Sequence, residues 1–414
     1  MSFTCCGHAA IAGTHDKTVE LTRDPDITRR ATCVIGVASD HDDTALLGLR
    51  GEVDVRLTCG DVSDEFTATI TPFFVGDPSL VFRCGPPLRG RTLAGDATKS
   101  AADLDRALIR ALADPAARLG VQITETGRGE RAGALFVVAL PIGNDDDLSP
   151  RARAVLAAAD VVLAEDTRRF RELSGRARLA TRASLLSYYD QNEAARAAEA
   201  VERMREGARV ALVSDAGTPL CSDPGYVVVR DAIDAGFAVS PVPGPSSLLA
   251  VLSASGLAVD RFTYVGFLPR RSAARQREIT QLTQRRETFV VHEAPHRVHA
   301  LLDDLARVCP EWLVCVGREV TKIFEEFRRG RVDEIAQELA AIEPRGEYTL
   351  VVAPPDGGEV APADALAAAG WEPVVRALLA DGVTTKTIAR ALAQLPGLTR
   401  QEAYARVLAL AELR

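Results

Sequence analysis

The stretch A-L-F-V-V-A-L-P-I-G-N, residues 134–144, decides the fold class. Its apolar residues run unbroken from Ala134 to Leu140, as in a strand buried on both faces of a parallel sheet. A polar loop, Pro141–Leu148, follows, and Ser149-Pro150 opens a helix with a capping hydroxyl and a first-turn proline. The grammar repeats downstream. Short apolar strands are expected at Val161–Ala164, Val210–Val213 and Ala238–Val242. Helices are expected at Asn192–Glu206, ended by Gly207, and at Gly225–Ala235, stopped by Gly236. This alternation predicts an open α/β sheet.

A second α/β stretch runs from about Ser246 to Ala353, with strands near Thr263–Phe267, Phe289–His292, Trp312–Gly317 and Tyr348–Val352. Pro354-Pro355-Asp356-Gly357-Gly358 breaks it, and the Ala- and Leu-rich end reads as a small helical bundle. Upstream, the first 127 residues read as an α+β domain. Val53, Val55 and Leu57 alternate with Asp54, Arg56 and Thr58, the period of a half-buried strand. Ala31–Ala38, Phe66–Thr71 and Leu80–Arg83 are further strands. Ser100 is placed to cap a helix bearing Leu104, Ala107, Leu108, Ala111 and Leu112, and Val121–Thr124 to close the sheet. Glycine-rich Thr126–Gly133 is a linker. The expected domains are therefore 1–127 (α+β), 134–244 and 245–355 (two α/β lobes) and 362–414 (a helical tail).

Composition narrows the function. At 47% hydrophobic and 26% charged residues, the 414-residue chain is neither disordered nor collagenous. It shows no apolar run of membrane-spanning length and no basic-then-apolar leader, which predicts a cytoplasmic protein without membrane attachment. Eight cysteines lack a repeated spacing and read as reduced thiols. A net charge of −8 argues against a protein that coats nucleic acid but permits local basic patches.

Each informative loop lies just beyond the carboxyl end of an expected strand, where open α/β sheets bind ligands. Pro141-Ile142-Gly143-Asn144, Glu165-Asp166-Thr167-Arg168, Ser214-Asp215-Ala216-Gly217-Thr218-Pro219 with Ser222-Asp223-Pro224-Gly225, and Pro243-Gly244-Pro245-Ser246-Ser247 are such loops. Any one of them reads as a turn; four on one sheet read as a site. Glycine admits a ligand close to the backbone, and Ser, Thr and Asp supply hydrogen bonds. No G-x-G-x-x-G follows a strand and no G-x-x-x-x-G-K-[ST] occurs, which disfavours nicotinamide dinucleotides and P-loop nucleotide hydrolysis.

These loops resemble the tetrapyrrole methylase superfamily, in its 16S ribosomal RNA (cytidine-2′-O)-methyltransferase branch. The carrying strings, in the family's order, are L-P-I-G-N (140–144), A-E-D-T-R (164–168), S-D-A-G-T-P (214–219), S-D-P-G-Y (222–226), P-G-P-S (243–246), G-F-L-P-R (266–270), R-E-V-T-K (318–322) and G-E-Y-T-L (346–350). A tetrapyrrole-modifying member would show G-x-G-P-G in place of Pro141–Asn144 and Gly-Asp-Pro in place of Gly217-Thr218-Pro219. The resemblance implies a two-lobed fold holding S-adenosylmethionine between the lobes. Pro141, Asp215, Ala216, Gly217, Thr218, Ser246, Ser247, Glu293, Glu347, Tyr348 and Thr349 would bind it, largely through backbone groups. It also implies 16S RNA in the small ribosomal subunit as substrate, and a homodimer.

Methyl transfer to a ribose hydroxyl needs alignment and exclusion of water, and a base helps because the hydroxyl is a weak acid. Candidate catalytic residues are Asp166, Lys322, Glu165 and Asp223. A lysine serves only if its pKa is depressed, and Glu165 with Arg168 also reads as a structural ion pair. RNA should leave a basic footprint. Arg168–Arg182 has a local balance of +5 and Arg261–Arg286 one of +6. Arg168, Arg169, Arg171, Arg270, Arg271 and Arg275 are the candidate RNA contacts, against a plain reading as solvated arginine-rich faces.

His292, His296 and His299 lack metal-site spacing, as do Cys5, Cys6, His8 and His15, so no metal is expected. In the tail, a helix from Thr384, a turn at Leu395–Thr399 and a helix at Arg400–Leu413 resemble the helix-turn-helix-like end of the same methyltransferases. The N-terminal domain resembles an uncharacterised, mainly archaeal family. Its Arg91, Lys99 and Arg106 suggest phosphate binding, but 14 basic against 19 acidic residues through Glu130 suggest a partner or positioning module instead. The rival readings are methylation of a tetrapyrrole or other small molecule, and a non-catalytic ribosome-binding factor.

Overall fold

A computed structural model describes all residues except 75, 87–91, 129–132, 356–370, 395–398 and 413–414. Arg91, half of the linker, the break beyond Pro355 and the turn at 395–398 thus lie outside the described residues. The chain divides into two compact units, Met1–Ser246 and Ser247–Arg414.

The first unit begins with β1 (Ser2–Cys6), β2 (Thr18–Thr22), β3 (Val34–Gly36), α1 (Asp43–Leu47), β4 (Glu52–Cys59), β5 (Val62–Ile70), β6 (Ser79–Arg83), β7 (Thr92–Gly95), α2 (Arg106–Leu112) and β8 (Arg118–Glu125). Among the described residues these strands form one mixed sheet, ordered β1-β8-β4-β5-β7-β6-β2-β3. The alternation along β4 buries Val53, Val55, Leu57 and Cys59, and α2 buries Leu108, Ile109 and Leu112 in the same core. Two expectations are corrected. β8 lies between β1 and β4 because the N-terminal strand pairs outside it. The cap of α2 is Asp105, which accepts from the Ala107 amide, while Ser100 donates to Asp103 instead.

The next sheet is parallel throughout and ordered β11-β10-β12-β9-β13. Its strands are β9 (Ala134–Val138), β10 (Val161–Ala164), β11 (Ser184–Ser187), β12 (Arg209–Val213) and β13 (Ala238–Val242). Helices α3 (Pro150–Ala158), α4 (Thr167–Arg176), α5 (Glu193–Arg205) and α6 (Tyr226–Asp234) connect them. Ser149 caps α3 by accepting from the Ala152 amide, with Pro150 in the first turn. β10 and β12 are buried at every position, as continuous apolar strings require when helices cover both faces.

The N-terminal domain packs against the amino ends of these strands. Arg209, the first residue of β12, is only 2% exposed. Its guanidinium donates to the carbonyls of Leu47 (2.7 Å) and Thr71 (3.4 Å), and its amide to Asp160 (2.8 Å). Burial, aided by the charge of Arg50, lowers its pKa to about 9, so it remains cationic at neutral pH. Arg50 pairs with Asp160 at 3.3 Å, and Phe73 meets Phe136 edge-on with ring centroids 5.8 Å apart.

The second unit contains α7 (Ser247–Ala254), β14 (Phe262–Phe267), α8 (Ser272–Gln284), β15 (Thr288–Glu293), α9 (Pro295–Val308), β16 (Leu313–Arg318), β17 (Glu326–Arg331), α10 (Val332–Ala340) and β18 (Tyr348–Ala353). The sheet order is β14-β15-β18-β16-β17, parallel only between β14 and β15. Beyond it, α11 (Trp371–Ala380), α12 (Thr385–Leu392) and α13 (Arg400–Glu412) share a small core of Val375, Ile388, Ala389, Ala403 and Val407.

Candidate active site

Hydrogen bonds tie four strand-end loops of the first unit into one rim. Leu140 and Gly217 exchange backbone bonds of 2.8 and 3.1 Å, joining the loops after β9 and β12. The Asp166 amide donates to Asp215 (3.0 Å), adding the loop after β10. The Thr218 hydroxyl donates to the Pro245 carbonyl (2.9 Å), adding the loop after β13. Gly217 sits at φ +78°, in the left-handed region that glycine enters without steric cost. Pro141 is buried at this rim, Ala216 is exposed, and Ser246 ends the unit.

Asp223 follows a strained segment in which Leu220 and Ser222 hold φ near +70° around Cys221. Behind it, Gly225 at φ +145° has no room for a Cβ, which would lie 2.8 Å from Leu212. The Gly225 amide donates to Glu193 (2.9 Å), and so does the Tyr188 hydroxyl (2.8 Å). Tyr188 and Glu193 thus anchor the loop. Neither carries a local sequence signal, because their role depends on the Gly225 loop, 32 residues beyond Glu193, folding back onto it.

The carboxylates differ sharply in proton affinity. Burial, then the charge of Glu165, pushes Asp223 up to about 7 against a hydrogen bond from Ser214. Glu165 is raised by burial and by Asp215. Asp166 is held down at about 2 by Arg168, which grips it at 2.8 and 3.1 Å, and by the Arg168 amide. Asp166 is therefore the cap of α4 and a poor proton acceptor at neutral pH, which corrects its candidacy as base.

Lys322 is corrected in the same way. Burial opposes its charge, yet Glu319 at 2.8 Å and Glu347 at 3.1 Å hold its pKa above the ordinary lysine value. It stays protonated. Glu319 also accepts from the Glu347 amide (3.0 Å), and Gly346 at φ +79° leaves the space that this carboxylate fills. Tyr348 and Thr349 are buried in β18, where the Thr349 hydroxyl meets Nδ1 of His292 at 2.9 Å. Glu293 is 2% exposed, accepts from the Ala294 amide and pairs with Arg297 at 3.0 Å. Ser247 opens α7.

The arginines also separate. Arg168 pairs with Asp166 and Arg169 with Asp215 (3.0 Å), whereas Arg171, Arg270 and Arg271 are exposed and no ion pair engages them among the described residues. Arg275 is 3% exposed and grips Asp304 at 2.6 Å, so it is no direct RNA contact. Among the described residues, no group of three or more His, Cys, Asp and Glu side chains is placed to hold a metal.

The residues fit a cationic methyl donor. Glu165, Asp215 and Asp223 concentrate negative charge at the strand ends, matching a sulfonium, and the glycine-lined rim gives access to backbone groups. A family model described as Tetrapyrrole (Corrin/Porphyrin) Methylases matches residues 134–336, which defines the class. A domain of unknown function, DUF371, matches residues 3–126. Ribosomal RNA small subunit methyltransferase I of Micromonospora olivasterospora is 41% identical over 280 residues, covering 67% of this chain and 87% of that protein. Its namesake from Synechocystis is 37% identical over 273 residues, covering 66% and 96%. The solved uroporphyrin-III C-methyl transferase from Thermus thermophilus, complexed with S-adenyl homocysteine, is 21% identical, covers 53% of this chain and 97% of that one, and has a TM-score of 0.40. The chain belongs to the ribosomal RNA small subunit methyltransferase I family and is an S-adenosylmethionine-dependent methyltransferase.

Proposed function

We propose that the chain methylates the ribose 2′-hydroxyl of a cytidine in the decoding region of 16S ribosomal RNA, within the small ribosomal subunit. What supports the mechanism is the placement of Asp223, half-buried beside Glu165 and Asp215 so that its carboxyl is pushed up to about 7, among the strand-end loops of a chain whose relatives bear an rRNA methyltransferase name. S-adenosylmethionine supplies an electrophilic methyl group. Asp223 accepts the hydroxyl proton as the oxygen attacks, and Glu165 keeps Asp223 basic enough to do so. Pro141 and Asp215–Thr218 hold the cofactor on the first unit. Arg171, Arg270 and Arg271 meet RNA phosphates, while Arg168 and Arg169 brace the acidic rim. The enzyme works in the cytoplasm as a homodimer. Among the described residues, no helix is long and apolar enough to cross a membrane.

The test is transfer of labelled methyl groups from S-adenosylmethionine to 30S subunits lacking the modification. Label that renders the adjacent phosphodiester alkali-resistant establishes 2′-O transfer. Label on a base, or transfer to a tetrapyrrole instead of RNA, overturns the reading. Light scattering at the mass of two chains tests the dimer.

A further inference from the structure

We propose that the second unit holds a preformed seat for one backbone phosphate of the RNA substrate, at the start of α8 and α9. The proposal rests on the RNA reading above and assigns it a particular cavity. That cavity, about 520 Å³, is lined by Arg270, Ser272, Arg275, His296, Arg297 and Ala300.

Its walls are fixed by two arginines that do not themselves supply free charge. Arg275 binds Asp304 and donates to the carbonyls of Pro269 and Arg270, each at 3.2 Å, and to that of Ala300 at 3.1 Å. Arg297 pairs with Glu293 and donates to the Leu268 carbonyl at 2.7 Å. The backbone of G-F-L-P-R (266–270) is thereby clamped from both helices. The acids of the cavity are neutralised: Asp304 also accepts from Ser272, Gln276 and Arg307, and Glu293 from the Ala294 amide.

What remains is positive. Arg270 is exposed, and no ion pair engages it among the described residues. α8 starts after Arg271 without a side-chain cap; the Ala274 and Arg275 amides return to the Arg271 carbonyl, each at 3.0 Å, which leaves the Ser272 and Ala273 amides and the helix dipole to face an anion. His296 adds a donor from the first turn of α9. A phosphodiester matches this set of one free guanidinium, ring and amide donors and a fixed backbone. Arg275 and Arg297 are positioning residues here.

The experiment compares wild-type enzyme, the double variant Arg270→Ala/His296→Ala and Arg270→Lys. It measures binding to 30S subunits across a salt series, KM for methyl transfer, and affinity for S-adenosylmethionine by calorimetry. In the double variant, RNA affinity should fall about tenfold and the salt slope by about one phosphate's worth, roughly 0.7–0.9. Lysine at 270 should restore most of both, with cofactor affinity unchanged throughout. An unchanged slope and KM in the double variant, with wild type binding RNA, overturns the seat and leaves the function intact. Cofactor binding without any RNA binding by wild type overturns both.

Discussion

A carboxyl with a pKa of about 7 is half ionised at neutral pH, and Asp223 is in that position because burial and Glu165 both disfavour its charge. Two outcomes follow at the scale of this residue. The pH profile of kcat/KM should rise to a plateau through about pH 7, and Asp223→Asn should lower the rate by about 10²–10⁴ and abolish that limb. Lys322→Gln should keep the limb in place, since the ammonium is held protonated by Glu319 and Glu347. A limb that moves with Lys322 and not with Asp223 would reassign the base. Stability should show the opposite trend to activity. A raised native pKa favours the protonated folded form, so the contribution is full below the ordinary carboxylate value and is lost as pH rises through about 7. Asp223→Asn should therefore resist urea better than wild type at pH 8, with the gap closing at acidic pH.

At the scale of elements, Arg275 holds the start of α8 by neutralising Asp304, and both side chains are almost wholly buried. Arg275→Met leaves Asp304 without its main counter-ion and should cost about 3–5 kcal/mol, read by chemical denaturation. Gly346→Ala should cost about 1–3 kcal/mol by forcing an alanine to φ +79°, with its Cβ 2.4 Å from the Glu319 carboxyl. Restored stability on combining it with Glu319→Ala would identify that collision as the cause. The most legible elements were those with buried positions to impose a pattern. β10 and β12, buried throughout, stand within a residue of their apolar strings, because a string covered on both faces has little alternative, and β13, an edge strand, still buries Ser240 and Val242. β17, written E-F-R-R-G-R, was illegible: it is an edge strand paired on one side only, with no buried position to impose a pattern. β11 was missed for the same reason. Among site residues, the loops were legible as strings, but their protonation was not. Asp166 and Asp223 are alike as letters, and only the arginine on one and the burial of the other separate them.

At the scale of the whole molecule, the N-terminal domain is joined to the first parallel sheet at the end opposite the strand-end loops of the rim. Arg209 reaches back 162 residues to Leu47, and the contact is made of carbonyls and a buried cation. Arg209→Ala should destabilise by about 2–4 kcal/mol, because two carbonyls lose their donor and Asp160 loses a neighbouring positive charge. A chain cut near Gly133 should lose comparable stability while keeping every strand-end loop, a difference that calorimetry of the two proteins would measure. Full stability of the cut chain would show the junction to be incidental. The junction also has a direction in time. At roughly 5–20 residues per second of synthesis, β8 is complete about 4–17 seconds before Arg209 is made. The N-terminal sheet can close first and present the Leu47 and Thr71 carbonyls as a finished socket. The emerging methylase strands then dock on a template already folded ahead of them, with the nascent chain assembling from its older end.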